Sequence, residues 1–253
     1  MRIVIRTAAL TLALFAMRAE GRTLEEIKKN GTLVVATEGA FPPFNFFRGP
    51  TLTGFEVDVA EALAKKMGVD IEWRALSFDA LIAGLRQDRW DMVIASFAIT
   101  PERSKAVTFA DPHYCSGGVI VSKNHAIRTA PDLAGKVVAV QTGTTYLENV
   151  KKLAGVKEVK NFPKDTDARS ALVSGRVDAW VTDRFAARSA VEADRGAGLE
   201  VGDFVFVERI AAAVQKGNAS LVRAINEALR EIQGDGTYEA ISKRYMNEDI
   251  RCR

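Results

Sequence analysis

Strand-like and helix-like stretches alternate along nearly the whole chain, and this alternation limits the fold more than any other feature. "TLVVATE" (Thr32–Glu38) is β-rich. In "GFEVDVAEALAKKMG" the apolar residues fall at Phe55, Val59, Leu63 and Met67, which is the spacing of an amphipathic helix. "DIEWRAL" reads as a strand, "SFDALIAGLRQDRW" as a helix capped by Ser77, and "DMVIASF" as a buried strand. A β-α-β-α-β order implies a mostly parallel sheet with helices on its faces. The second half repeats the style. Strands are predicted at "KVVAVQT", "VKEVKNF" and "VDAWVTD", with helices at "TTYLENVKKLAG", "TDARSALVSGR" and "RFAARSAVEA". "IAAAVQK" and "SLVRAINEALREIQGDGTYEAISKRYM" add one strand and two helices. Ahead of the first strand, Thr23-Leu24-Glu25-Glu26 is a capping box whose helix stops at Gly31.

The N-terminus reads differently. Arg2 and Arg6 precede a short apolar run, Ala8 to Met17, too short for a stable membrane anchor. Residues 1–19 are therefore expected to be a signal peptide cleaved after Ala19, although Met17 and Arg18 make an imperfect cleavage motif and an uncleaved tail is the alternative. No other segment is long and apolar enough to cross a membrane. The whole chain is formally +3, and this leader holds three arginines (Arg2, Arg6, Arg18) and no acid, so +3 less 3 leaves a neutral remainder. Nothing resembles a basic stripe for nucleic acid. In an exported chain the two cysteines, Cys115 and Cys252, suggest a disulfide; two unpaired thiols are the other reading. With His113 and His125 the only histidines and no CxxC or HxxxH spacing, no metal site and no cofactor are expected.

No internal repeat and no low-complexity linker separates the two halves, so they are expected to be lobes joined by short ordered crossings near 115–118 and 204–209. Ligands in open α/β sheets bind beyond the carboxyl ends of the strands. The loops at Glu38–Phe44, Ser96–Arg103, Gln141–Thr145 and Thr182–Asp183 all follow predicted strands, which would bring them to one cleft. Arg103 is the informative residue there. Thr100 suits a helix N-cap and Pro101 the first helical position, but a cation in a first turn opposes the helix dipole. Either it points to solvent or pairs with Glu102 or Asp111, or it and nearby N–H groups converge on an anion, for which a guanidinium fork suits a carboxylate. Gly143-Thr144-Thr145 can add N–H donors, Asp183 is an anion suited to an ammonium, and Phe41, Phe44 and Phe78 offer flat walls. Glu38 and Gln141 remain as polar groups for a more distal part of a ligand. A cationic fork, amide donors and a carboxylate from separate loops are what a zwitterion requires.

Six stretches, "TEGAFPPFNF", "GFEVDVAEALAKKMG", "FDALIAGLRQDRWDMVIASFAITPERSKAVTFADPHY", "VVAVQTGTT", "GRVDAWVTDR" and "GDGTYEAISKRYM", cover nearly all of the chain after the leader, in order. On them the chain resembles the periplasmic polar-amino-acid-binding proteins of ABC importers, family 3. The resemblance implies a two-lobed type II α/β fold with a two-strand hinge: residues 20–114 in lobe 1, 115–118 in the hinge, 119–203 in lobe 2, 204–209 in the hinge again, and 210–253 returning to lobe 1. It implies that Arg103 and the N–H groups of Ala98 and Thr145 hold an α-carboxylate, with Thr144 alongside. Asp183 and the carbonyl of Ser96 would hold the α-ammonium, and Phe41 and Phe78 sandwich the side chain. Glu38 and Gln141 fall where relatives vary their specificity, and Glu38 favours a basic ligand. Relatives often carry Ser or Thr where this chain has Ala98, so a hydroxyl contact to the ammonium is lost or replaced. The resemblance further implies a monomeric periplasmic protein, not an enzyme, that hands a free amino acid to an inner-membrane permease. The rival on the same fold is a periplasmic cyclohexadienyl dehydratase acting on prephenate or arogenate, with Glu38 as proton donor.

Overall fold

The computed structural model describes residues 21–252; the expected signal peptide lies outside them. The chain opens with helix α1 (Leu24–Asn30), started by the Thr23–Glu26 capping box and ended by Gly31 in the left-handed conformation. Strand β1 (Thr32–Thr37) follows, then three short strands, β2 (Ala40–Phe41), β3 (Asn45–Arg48) and β4 (Thr51–Thr53). Helix α2 (Phe55–Met67) buries Phe55, Val59, Leu63 and Met67, the four positions that the periodicity selects. Its entry needs glycine: Gly54 has φ +133°, and a Cβ there would lie 2.3 Å from the carbonyl oxygen of Phe44. Strand β5 (Asp70–Ala75), α3 (Leu81–Arg86), β6 (Met92–Val93), α4 (Pro101–Ala106) and β7 (Val107–Phe109) complete this part. Ser77 caps no helix with its side chain; a 3₁₀ turn, Phe78–Ala80, intervenes before α3.

Strand β8 (Tyr114–Ser122) leads into the second unit: β9 (Val137–Gln141), α5 (Thr145–Val150), β10 (Glu158–Phe162), α6 (Asp165–Val173), β11 (Ala179–Asp183), α7 (Arg184–Ala193) and β12 (Glu200–Ile210). The chain then returns through β13 (Ala213–Gln215), α8 (Ala219–Gly234) and α9 (Thr237–Met246). The first sheet has the order β5-β1-β6-β13-β7 and the second β10-β9-β11-β8-β12, while β2, β3 and β4 form a small sheet of their own. Strands joined through helices run parallel: β1 with β5 and β6, and β9 with β10 and β11. The returning strands β13, β8 and β12 pair antiparallel. The parallel character is therefore confined to the crossover strands, where a helix is needed to bring the chain back.

The two sheets are connected by the end of the β8/β12 pair, in which Tyr114 faces Ile210 and Ser116 faces Glu208. Cys115, in this pair, is disulfide-bonded to Cys252, and its N–H donates to the carbonyl of Ile250. The C-terminal segment is thus tied to the connection between the lobes. No helix among the described residues is long and apolar enough to cross a membrane.

Candidate functional site

The loop after β6 carries the first part of the site, and a buried acid sets its shape. Ser96 has a left-handed φ of +56°, a conformation that costs a non-glycine residue energy unless its surroundings hold it. Glu56, fully buried in the first turn of α2, does so: Oε1 accepts from the Ser96 N–H at 2.8 Å and Oε2 from its hydroxyl at 3.0 Å. Asn45 Nδ2 and His113 Nε2 reach the same carboxylate at 2.8 and 3.0 Å. Two residues beyond, Ala98 bridges to Ile210 at the inter-lobe connection.

Thr100 then caps α4, accepting from the Arg103 N–H at 3.1 Å, with Pro101 in the first turn. The guanidinium of Arg103 turns away from its own helix. It donates from Nη1 to the carbonyl of Ala98 and from Nη2 to the carbonyl of Gly143 in the second lobe, both at 3.1 Å. It also lies over the rings of Phe97 and Phe78, 4.7 and 5.7 Å from their centroids. Glu102 pairs with Lys105 and Asp111 with Arg230, so neither of the local partners open to Arg103 in sequence is the one used. Burial lowers the pKa of Arg103, an effect opposed by the charges of Glu208 and Glu148.

The facing loops come from the second lobe. Thr144 is the N-cap of α5: its hydroxyl donates to the Gln141 carbonyl at 2.7 Å and accepts from the Leu147 N–H at 3.3 Å. The N–H of Thr145 is a first-turn donor without a partner inside the helix, and its hydroxyl donates to Glu208 at 2.6 Å. Across the gap, Gln141 Nε2 donates to Glu38 Oε1 at 2.7 Å and to the Pro163 carbonyl at 3.1 Å. Glu38, Phe41, Phe78, Ser96, Arg103, Gln141, Thr144 and Thr145 line one cleft, with Ala95 and Tyr146. The lobes are closed upon it, leaving about 10 Å³, room for about one water. Phe41 and Phe78 are each backed by another ring, Phe44 at 5.4 Å and Phe97 at 4.3 Å. Phe44 itself is wholly buried and stacks on Tyr114, so it is core and no wall of the cleft.

Besides Phe44, Ala98 and Asp183 stand outside this lining. Ala98 faces an adjoining groove of about 780 Å³. Asp183 is fully buried at the end of β11 and caps α7: Oδ1 accepts from the N–H of Phe185 at 2.7 Å and of Ala186 at 3.4 Å. Its Oδ2 has no partner among the described residues. Sequence reasoning missed Glu208, Ser116 and Tyr114, which gather around Asp183 from the connecting strands, and Glu56, which works from behind. In the sequence, "FVFVERI" offers no cue that its acid turns inward. No group of three or more His, Cys, Asp or Glu among the described residues is arranged to hold a metal ion.

Burial dominates the electrostatics. It pushes Glu38 up to about 8 against the pull of the Gln141 hydrogen bond, and Asp183 up to about 7 against the pull of the Ser116 hydroxyl and the Phe185 N–H. Asp165, at the start of α6, rises to about 7 for the same reason while accepting from Trp180 Nε1. A carboxyl whose pKa is higher folded than unfolded holds more protons when folded, so stability falls as pH rises between the two values. For these three acids the window runs from about pH 4 to about 8. Urea unfolding of the ligand-free protein should therefore give a stability at least about 2 kcal/mol lower at pH 8 than at pH 5, and Asp183→Asn should flatten the slope. A stability that is level or rising over this range would contradict the assignment.

Two α/β lobes closing on a polar cleft, connected by a strand pair, define a two-lobed ligand-binding protein. The chain belongs to the bacterial extracellular solute-binding proteins, family 3, matching that family over residues 33–248. It is 36% identical over 237 residues to the L-cystine-binding protein TcyJ of Escherichia coli (strain K12), covering 92% of this chain and 89% of the relative. Among solved structures it is similar to an ancestral arginine-binding protein bound to arginine, with TM-score 0.82 and 43% identity over 85% of this chain and 98% of the other. It is also similar to AncCDT-1, an ancestral amino acid-binding protein described as a precursor of cyclohexadienyl dehydratase. There the TM-score is 0.83 and the identity 34%, over 88% of this chain and 99% of the other.

Proposed function

We propose that this protein captures a free L-amino acid with a polar, basic side chain in the periplasm and delivers it to an ABC permease in the inner membrane. One observation carries the reading: Arg103 on one lobe and Asp183 on the other are oppositely charged side chains, Asp183 fully buried and Arg103 half-buried, and neither has an ionic partner among the described residues. The Asp183 Oδ2 is unpartnered there, and the Arg103 Nη atoms are spent on neutral carbonyls. A zwitterion supplies both missing charges at once. In this reading Arg103 and the N–H groups of Ala98 and Thr145, with Thr144 holding the turn, take the α-carboxylate. Asp183 and the Ser96 carbonyl take the α-ammonium. The rings of Phe41 and Phe78 flank the side chain, and Glu38 with Gln141 meets its distal end.

Closure follows from the same contacts. Residues 20–114 and 210–253 form one lobe, 119–203 the other, and 115–118 and 204–209 are the hinge. A ligand touching both lobes favours the closed form by its extra contacts there, and periplasmic binding proteins as a group close about such hinges around their ligands. Every group in this reading comes from one copy of the chain, so a monomer suffices.

The test is thermal shift against the twenty amino acids, L-cystine and prephenate. A ligand at about 100 times its Kd adds about 2.7 kcal/mol, which for a protein of this size raises Tm by about 5–10 °C. Arginine, lysine, histidine or glutamine should give that shift and the matching D-amino acid should not. Ring product formed from prephenate, with no amino acid giving a shift, would replace binding with dehydration.

A further inference from the structure

We propose that Glu208, on the connecting strand, is a second acid for the ligand's α-ammonium group and takes the place of the hydroxyl that position 98 lacks. This role rests on the amino-acid reading above. A primary ammonium carries three N–H donors. In the proposed pose Asp183 and the Ser96 carbonyl meet two of them, and the methyl group of Ala98 can meet none.

Glu208 is placed to meet the third. It sits in β12 directly opposite Ser116 of β8, and its Oε2 holds the Thr145 hydroxyl at 2.6 Å. A carboxylate has about four acceptor positions, so this bond leaves capacity for another donor. Glu208 lines the groove of about 780 Å³ together with Ala98, Ser116 and Thr145. Thr145 also lines the closed cleft, so the two spaces meet at that residue. The charge of Glu208 is felt at both Asp183 and Arg103.

The neighbourhood is short of hydrogen-bond partners. Tyr114 Oη, Ser116 Oγ and Asp183 Oδ2 are buried and close no hydrogen bond of good geometry among the described residues, though Ser116 lies near enough to Asp183 to lower its pKa. Asp183 faces Gly118, so it shares one face of the sheet with Ser116 and Tyr114, two and four residues back along β8, while Thr182 projects from the other face. Buried polar groups are seldom left unpaired. Two acids with the Tyr114 and Ser116 hydroxyls make a pole suited to a compact donor-rich cation such as an ammonium.

Calorimetric titration tests this, using whichever of L-arginine, L-lysine, L-histidine, L-glutamine and L-cystine gives the wild type its largest thermal shift. Glu208→Gln keeps an acceptor for the Thr145 hydroxyl and removes the charge. It should weaken the amino acid by at least about tenfold and leave the desamino analogue of the same ligand within about twofold. Adding Ala98→Ser to Glu208→Gln should recover most of the loss, whereas Ala98→Ser alone should tighten binding by no more than about twofold. Thr145→Val, which cuts the Glu208 contact and spares the carboxylate, should cost less than Glu208→Gln. Binding by Glu208→Gln within about twofold of wild type overturns the proposal. So does an equal loss for the desamino analogue, which would reduce Glu208 to a support for Thr145. If none of these amino acids binds the wild type, the amino-acid reading fails and takes this inference with it. If they bind and Arg103→Ala abolishes binding while Glu208→Gln is silent, only the inference falls.

Discussion

Arg103→Ala should abolish the ligand-induced rise in melting temperature while leaving a folded, cooperatively melting protein. The guanidinium is the one group proposed to form a bidentate, charge-assisted pair with the ligand carboxylate in a space closed to water. Truncating one partner of such a buried pair costs about 3–5 kcal/mol, because the other charge is left without compensation. That is roughly 150- to 5000-fold in affinity. The structural cost is smaller. Arg103 donates only to two backbone carbonyls, those of Ala98 and Gly143, and α4 keeps its Thr100 cap. Arg103→Lys should fall between, since it keeps the charge and loses the planar fork and the stacking on Phe97. Isothermal titration of the three proteins, with circular dichroism melts to confirm folding, decides the matter. Affinity for Arg103→Ala within tenfold of wild type would remove the carboxylate from this end of the cleft.

The start of that helix was legible because its signals are local. Thr100, Pro101 and the Arg103 N–H lie within one turn, so sequence spacing alone places them. The same holds for the Thr23–Glu26 box and for the buried stripe of α2. Elements held by distant pairing were not legible. β2, β3 and β4 are two to four residues long and pair only with one another around Pro42-Pro43. "GAFPPFNFF" therefore reads as a loop, since no run is long enough to show alternation. β12 extends over 11 residues, with register shifts between Val201 and Phe206 that blur its period. α5 stops at Val150, short of the Gly155 that its helical pattern suggests, because Lys151–Gly155 is spent in turns before β10. In the site, the loops after strands were readable from topology, whereas the direction of each side chain was not. Arg103 could have paired with Glu102 or Asp111, and only the folded chain shows those two acids engaged elsewhere. Glu56 and Glu208 carry no local signal at all. Each becomes important through donors that arrive from other elements.

Glu56→Ala should be the most damaging single change to the fold. The side chain is wholly buried and has four donors on its two oxygens: the Ser96 N–H and His113 Nε2 on Oε1, Asn45 Nδ2 and the Ser96 hydroxyl on Oε2. With the carboxylate as acceptor, His113 Nε2 must carry its proton. These donors come from β3, from the loop after β6 and from the chain just before β8, so one carboxylate ties three segments to the start of α2. Alanine leaves the donors facing a cavity. Each unsatisfied buried group costs about 1–3 kcal/mol before relaxation and water entry, and about 3–5 kcal/mol in total is expected, or a fall in Tm of roughly 6–20 °C. Glu56→Gln should lose less, because one amide oxygen still accepts while the new NH₂ group meets donors instead of acceptors. The ligand measurement separates support from function. Among the described residues, Ser96 is the one member of the cleft lining to which Glu56 is hydrogen-bonded, and it holds that residue at φ +56°. Freed of that restraint, Ser96 relaxes toward ordinary backbone geometry and carries its carbonyl, and the Ala98 N–H two residues on, out of position. Glu56→Gln, measured where it is fully folded, should therefore bind the amino acid more weakly by about tenfold. Urea unfolding that shows a loss under about 1 kcal/mol for Glu56→Ala, or unaltered affinity for Glu56→Gln, would mean that the loop after β6 keeps its shape without this acid.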